Sequence, residues 1–185
     1  MDADADGWQD LFVCHGYNTS PLDNTENPDQ QPNVLLRNKQ GVAFEDITDS
    51  AQLGGPAWSR SPVVGDLNRD GFPDLVVGNA DFAPYVYLNG CDERPWLSVQ
   101  LVGTSGNLDA IGARVTVTAG DTSQVRQIIS GSDGLYGSSA PEAYFGFSVD
   151  VATVDMEVVW PGGQTDVHTA VPVRNHAVIR PKMNP

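Results

Sequence analysis

Two acidic segments of one pattern, each running straight into a short apolar run, constrain this chain more than any other feature. Asp2-Ala3-Asp4-Ala5-Asp6-Gly7-Trp8-Gln9-Asp10 leads into Leu11-Phe12-Val13, and Asp66-Leu67-Asn68-Arg69-Asp70-Gly71-Phe72-Pro73-Asp74 leads into Leu75-Val76-Val77. Calcium is a hard cation that takes six to eight oxygens at roughly 2.3–2.6 Å. A short loop supplies them from side chains at positions 1, 3 and 5, a backbone carbonyl at position 7 and a further oxygen at position 9, with a glycine at position 6 for the sharp turn. The first loop then offers Asp2, Asp4, Asp6, Asp10 and the carbonyl of Trp8. The second offers Asp66, Asn68, Asp70, Asp74 and the carbonyl of Phe72. Two Ca2+ sites are the expectation.

These segments differ from EF-hands. Position 12 is Val13 or Val77, where an EF-hand places a bidentate Glu, and an apolar strand follows in place of a helix. Two plain Asp-Gly hairpin turns are the simpler alternative. Such turns account for Asp6-Gly7 and Asp70-Gly71, and leave the other oxygen-bearing positions of both copies without a reason.

The rest of the chain is punctuated by 19 Gly and 13 Pro, which leave only short β-branched or aromatic runs between them. Leu11–Cys14, Val34–Leu36, Leu75–Val77, Tyr85–Leu88, Leu97–Val102, Ala113–Thr118, Val125–Ile129, Val154–Trp160 and His176–Arg180 are such runs, several alternating apolar with polar. That period of two belongs to half-buried strands, no helical periodicity is sustained, and the predicted class is all-β. The repeat extends past the loops: Val34-Leu35-Leu36-Arg37-Asn38 aligns with Val86-Tyr87-Leu88-Asn89. The first copy is longer by about a dozen residues, which fall in the polar stretch 18–33 and read as a surface loop. The repeat ends near Pro95, so the expected division is 1–93 and 94–185.

Charge narrows the function classes. With 24 Asp plus Glu against 10 Lys plus Arg, the net charge is −14. Lys39 and Lys182 are the only lysines. No basic stripe exists to neutralise phosphates, so nucleic acid is excluded as a partner, and no apolar run approaches a membrane span. Cys14 and Cys91 fit either one disulfide closing a long loop or two separate thiols, and they make no zinc site. His15, His168 and His176 are scattered and read as surface or strand residues. Ser138-Ser139 and Ser130-Gly131-Ser132 lie in Gly-rich turns without a nucleophile elbow, and Asp133-Gly134 reads as a turn. The tryptophans Trp8, Trp58, Trp96 and Trp160 read first as core and second as sugar platforms. No signal peptide precedes the first loop, which starts directly after Met1, so the sequence reads as a piece of a larger protein.

The two loops with their following strands resemble the FG-GAP or VCBS repeat of integrin-α-type β-propellers. Phe44-Glu45-Asp46-Ile47-Thr48 is similar to a stretch found between such loops, and Val64-Gly65 to the strand entering one. About two blades are visible over 2–92, whereas a closed propeller needs at least about four. The remainder resembles the ASPIC/UnbV domain of cartilage-acidic-protein-like proteins, through Trp96-Leu97-Ser98-Val99, Ala110 to Val115, Gln127 to Gly131, Tyr144-Phe145-Gly146-Phe147, Val158 to Gly163 and Val171 to Ile179. Tyr144, where relatives often carry His, and Arg174-Asn175-His176 depart from that pattern.

The resemblance implies a partial β-propeller followed by a β-sandwich-like domain, in an extracellular, cell-surface or periplasmic protein. It implies an adhesion or recognition role toward a protein or glycan partner, with no catalytic residues carried over. A metal-assisted lyase or hydrolase acting on carbohydrate is the alternative.

Overall fold

The computed structural model describes residues 1–16, 32–53, 58–80, 83–90, 93–131 and 136–182. Most of the expected surface loop at 18–33, together with Cys91, Ser132 and Asp133-Gly134, lies outside them. Among the described residues there are thirteen strands and no helix, as the alternation predicted.

Each repeat copy builds a three-stranded antiparallel sheet of blade type. In the first, β1 (Leu11–Val13) pairs with β2 (Val34–Lys39), which pairs with β3 (Ala43–Asp46). The second sheet pairs β4 (Ser59–Gly65), β5 (Asp74–Asn79) and β6 (Tyr85–Tyr87) in that order. The copies are in the same register: Leu11 sits opposite Leu36 as Leu75 sits opposite Tyr87. Sequence alone missed most of β4, and Pro62 is the reason. A proline removes a ladder donor and argues against a central strand, but β4 is an edge strand and tolerates it.

The second half forms a sandwich of two sheets. One has β7 (Trp96–Leu101) at its centre, antiparallel to β10 (Glu142–Gly146) and parallel to β13 (Asn175–Ile179). The other runs β12 (Thr165–Pro172), β11 (Thr153–Val159), β8 (Arg114–Ala119) and β9 (Thr122–Gln127). Alternation fixes which face is inward. Val115 and Val117 on β8, Val154, Met156 and Val158 on β11, Leu97 and Val99 on β7, and Phe145 on β10 meet in one buried cluster. β12 escaped the sequence reading because only Asp166 among its residues is buried. The Trp160 indole N–H donates to Asp166 Oδ2 at 2.8 Å, and the Lys182 backbone N–H donates to the same oxygen at 2.9 Å. Burial pushes the Asp166 carboxyl up, but these bonds and one from Gln164 outweigh it and leave the group below its ordinary range.

β7 packs on both faces along its first four residues. Leu97 and Val99 point into the sandwich, while Trp96 and Ser98 face the repeat half. Phe145 is the largest fully buried side chain of the core, and the Arg126 guanidinium lies 5.3 Å from its ring centroid. Replacing Phe145 by Ala removes both contacts and is expected to cost about 3–5 kcal/mol, read as a lower denaturant midpoint with unchanged slope.

Candidate functional site

The acidic loops share one hydrogen-bond pattern at positions 1, 5 and 9. At position 1, Asp2 accepts the N–H groups of Asp6 at 3.0 Å and Gly7 at 2.9 Å. Asp66 likewise accepts those of Asp70 at 3.1 Å and Gly71 at 2.8 Å. At position 5, Asp6 accepts from Trp8 at 2.8 Å and Asp70 from Phe72 at 3.0 Å. At position 9, Asp10 accepts from Ala3 at 2.8 Å and Asp74 from Leu67 at 2.7 Å. The second oxygen of each position-9 carboxylate reaches the neighbouring segment, where it accepts the N–H of Asn38 on β2 at 2.7 Å or of Asn89 just after β6 at 2.8 Å. Both loops turn through left-handed backbone, at Ala5 (φ 52°) and Gly7 (φ 97°) in one, Arg69 (φ 60°) and Gly71 (φ 96°) in the other.

The loops differ in how their oxygens converge. In the first, carboxylate oxygens of Asp2, Asp4 and Asp10 lie within 4.8 Å of one another. Burial pushes the Asp2 carboxyl up to about 6, with the charges of Asp6 and Asp10 adding to it and the Gly7 hydrogen bond opposing. Asp4 and Asp10 are raised for the same first reason, loss of water, reinforced by their acidic neighbours. Asp4 Oδ1 is buried and accepts no hydrogen bond. Asp6 stands outside the three-carboxylate cluster and closes the turn through Trp8. In the second loop Asn68 replaces the third carboxylate: its amide donates to Asp70 Oδ2 at 2.8 Å and its oxygen accepts the Asp70 N–H at 3.1 Å. Among the described residues the three-carboxylate convergence therefore occurs in the first loop.

Both loops seat on the sandwich. Arg94 donates to the Asp4 carbonyl, and Arg126 donates to the Gly7 carbonyl at 3.3 Å and the Tyr144 carbonyl at 3.1 Å. Arg126 is largely buried; desolvation lowers its pKa and the Asp2 charge partly restores it. At the second loop, the Tyr144 hydroxyl accepts the Asp66 N–H at 3.2 Å and donates to Glu142 at 2.8 Å. The Trp96 ring lies so close to Gly71 that a Cβ there would meet it at 1.9 Å. His176 Nε2 is 3.7 Å from Asp66 Oδ2, and its Nδ1 is 2.6 Å from Ser98 Oγ. This Ser–His–Asp order resembles a hydrolase triad, but Ser98 is fully buried and Asp66 already holds two backbone N–H groups, so no substrate reaches the hydroxyl.

In sequence Trp96 reads as core, Tyr144 as a departure from the ASPIC/UnbV pattern and His176 as a surface or strand residue; their part in seating the loops, like that of Arg94 and Arg126, is not legible there, because their partners are distant in the chain. Asn38 and Asn89 could have been found, since they occupy matching positions of the repeat. Trp160 is core as expected, whereas Trp8 is 43% exposed.

The fold and loops define the class: an all-β repeat segment with paired Asx-rich loops, docked on a β-sandwich. The FG-GAP-like repeat model matches residues 2–77, and the ASPIC and UnbV model matches residues 103–184. The chain thus carries an FG-GAP-like repeat followed by an ASPIC/UnbV domain. No curated protein matches it significantly.

Gly71→Ala and Gly106→Ala separate backbone strain from seating, because both glycines have φ near 95° and no atom lies within 4 Å of a Cβ at Gly106. Gly106→Ala is expected to cost about 1 kcal/mol, and Gly71→Ala a further 1–3 kcal/mol or so through the Trp96 clash, measured by chemical denaturation. Asp74→Ala strands the Leu67 and Asn89 N–H groups and should destabilise by roughly 2–4 kcal/mol in the same assay.

Proposed function

We propose that this chain is a non-catalytic recognition module whose two acidic loops each hold a calcium ion and thereby brace the joint between the repeat sheets and the sandwich. The observation that carries the reading is the first loop's buried carboxylate cluster with Asp4 Oδ1 left unpartnered. Three desolvated carboxylates with raised proton affinity and a buried oxygen lacking a donor form a site that a hard cation satisfies. Asp2, Asp4, Asp6, Asp10 and the Trp8 carbonyl would hold one ion. Asp66, Asn68, Asp70, Asp74 and the Phe72 carbonyl would hold the other, as the shared hydrogen-bond pattern of the loops supports. Bound calcium neutralises the carboxylates and fixes the turn between strands. An extracellular, cell-surface or periplasmic setting agrees with the FG-GAP-like repeats. The partner in this reading is a protein or a glycan.

Thermal melts with calcium and with EDTA test the ions directly. Calcium at ~100 times its Kd should stabilise by about 2.7 kcal/mol per site. A rise in Tm that magnesium does not reproduce, with two ions bound per chain, is the expected result. An unchanged Tm at millimolar calcium overturns the reading.

The metal-free protein carries its own signature in pH. The folded state holds the Asp2 proton more tightly than the unfolded state does, since about 6 exceeds the ordinary 3.8. This contribution to stability is therefore complete below the ordinary value and is lost as pH rises through about 6. In EDTA, the stability of the parent protein relative to Asp2→Asn should fall between pH 4 and pH 7, and saturating calcium should abolish that fall.

A further inference from the structure

A groove of about 560 Å3 runs between the first loop with its β2–β3 turn and the strand β9 side of the sandwich. Its size suits a small-molecule site. Trp8 forms one wall. It is the exposed member of the four tryptophans, the other three being half-buried or buried. Its ring rests on Gly41, where a Cβ would come within 3.0 Å of Cζ3, and the Gly41 N–H is tied to Asn38 Oδ1 at 2.8 Å. The ring is thus supported from behind by a hairpin that only glycine allows to approach.

The opposite wall carries Val149, 57% exposed, and Val125, 51% exposed, beside the Thr122 hydroxyl. The lining also holds the Asp6 carboxylate, whose Oδ1 accepts the Trp8 N–H at 2.8 Å, and primary amides. Asn38 donates to the Gln9 carbonyl at 3.0 Å and Gln124 to the Gly146 carbonyl at 2.7 Å, so each is held in place while retaining a second N–H. The cation of the groove, Arg126, is spent on the Tyr144 and Gly7 carbonyls and on Gln124. A chain of net charge −14 with no free cation here disfavours an anionic ligand. A flat aromatic platform, aliphatic walls, amides and one carboxylate that the loop itself engages match a molecule with one apolar face and an edge of hydroxyl groups.

We propose that this groove binds a neutral sugar residue of a glycan, with the ring stacked on Trp8 and its hydroxyls on the amides of Asn38 and Gln124. The inference specifies the partner class of the recognition module proposed above and rests on that reading. The test uses the full chain, 15N-labelled, in calcium, titrated with neutral hexasaccharides built on glucose, mannose, xylose, galactose and N-acetylglucosamine. The tryptophan indole N–H signals are followed, and Trp8 is assigned with Trp8→Phe. A saturable shift of the Trp8 signal with at least one hexasaccharide is expected, weakened at least tenfold in Val149→Arg, which fills the groove from the other wall; in Trp8→Ala, which lacks that signal, binding is followed by the side-chain amide signals of Asn38 and Gln124 and should weaken at least tenfold. No response of Trp8 to any of the five sugars overturns the proposal, as does a response that survives both substitutions. Calcium melts of the same samples keep the failures apart: a calcium shift without a sugar response sinks only the glycan site, and a missing calcium shift sinks the metal-braced reading.

Discussion

The last aspartate of each loop holds the repeat half together. Asp10 and Asp74 are almost fully buried, and each divides its two oxygens between the start of its own loop and the N–H of an asparagine two positions past the last paired residue, Asn38 on β2 or Asn89 after the end of β6. One carboxylate therefore closes the loop and fixes where the following strands lie. A buried acceptor serving two backbone donors is costly to remove, because both donors would then be buried without partners. The repeated strand register of the two sheets follows from this pair of junctions.

The sandwich supplies what the loops lack. An acidic loop packed against protein loses the water that would stabilise its charges, and the compensation around the first loop is Arg94 and Arg126. Arg126 itself is desolvated and lies against Phe145, so it couples the loop to the core of the sandwich. Around the second loop the compensation is of another kind. One carboxylate is replaced by Asn68, and the seat is built from Trp96, Tyr144 and His176, which offer ring faces and hydrogen bonds in place of a full cation. Two loops of one conformation thus sit in unlike electrostatic surroundings.

The strands that sequence reading found are those whose alternation survives in a single segment, such as β8 and β11, where every second residue is buried. Those it missed have local patterns that tertiary context overrides. β3 is exposed throughout, β12 buries one aspartate, and β4 contains a proline that its edge position excuses. At the site, the acidic positions and the turn glycines were legible because spacing alone dictates them. The reason Gly71 admits no side chain was only half legible: the positive φ follows from the loop, while the Trp96 ring above it does not.

The sequence by itself determined the all-β class, the duplicated loop, the carboxylates within each loop and the strand each one feeds, because all of these depend on residues a few positions apart. Tertiary structure decided the rest. It chose which carboxylates converge, leaving Asp4 with a buried unpartnered oxygen, and which side chains of the sandwich face them. It turned Trp8 outward over Gly41 while burying Trp160. Burial and charge proximity are properties of segments brought together across long stretches of chain, and a local spacing rule carries no information about which distant partner arrives.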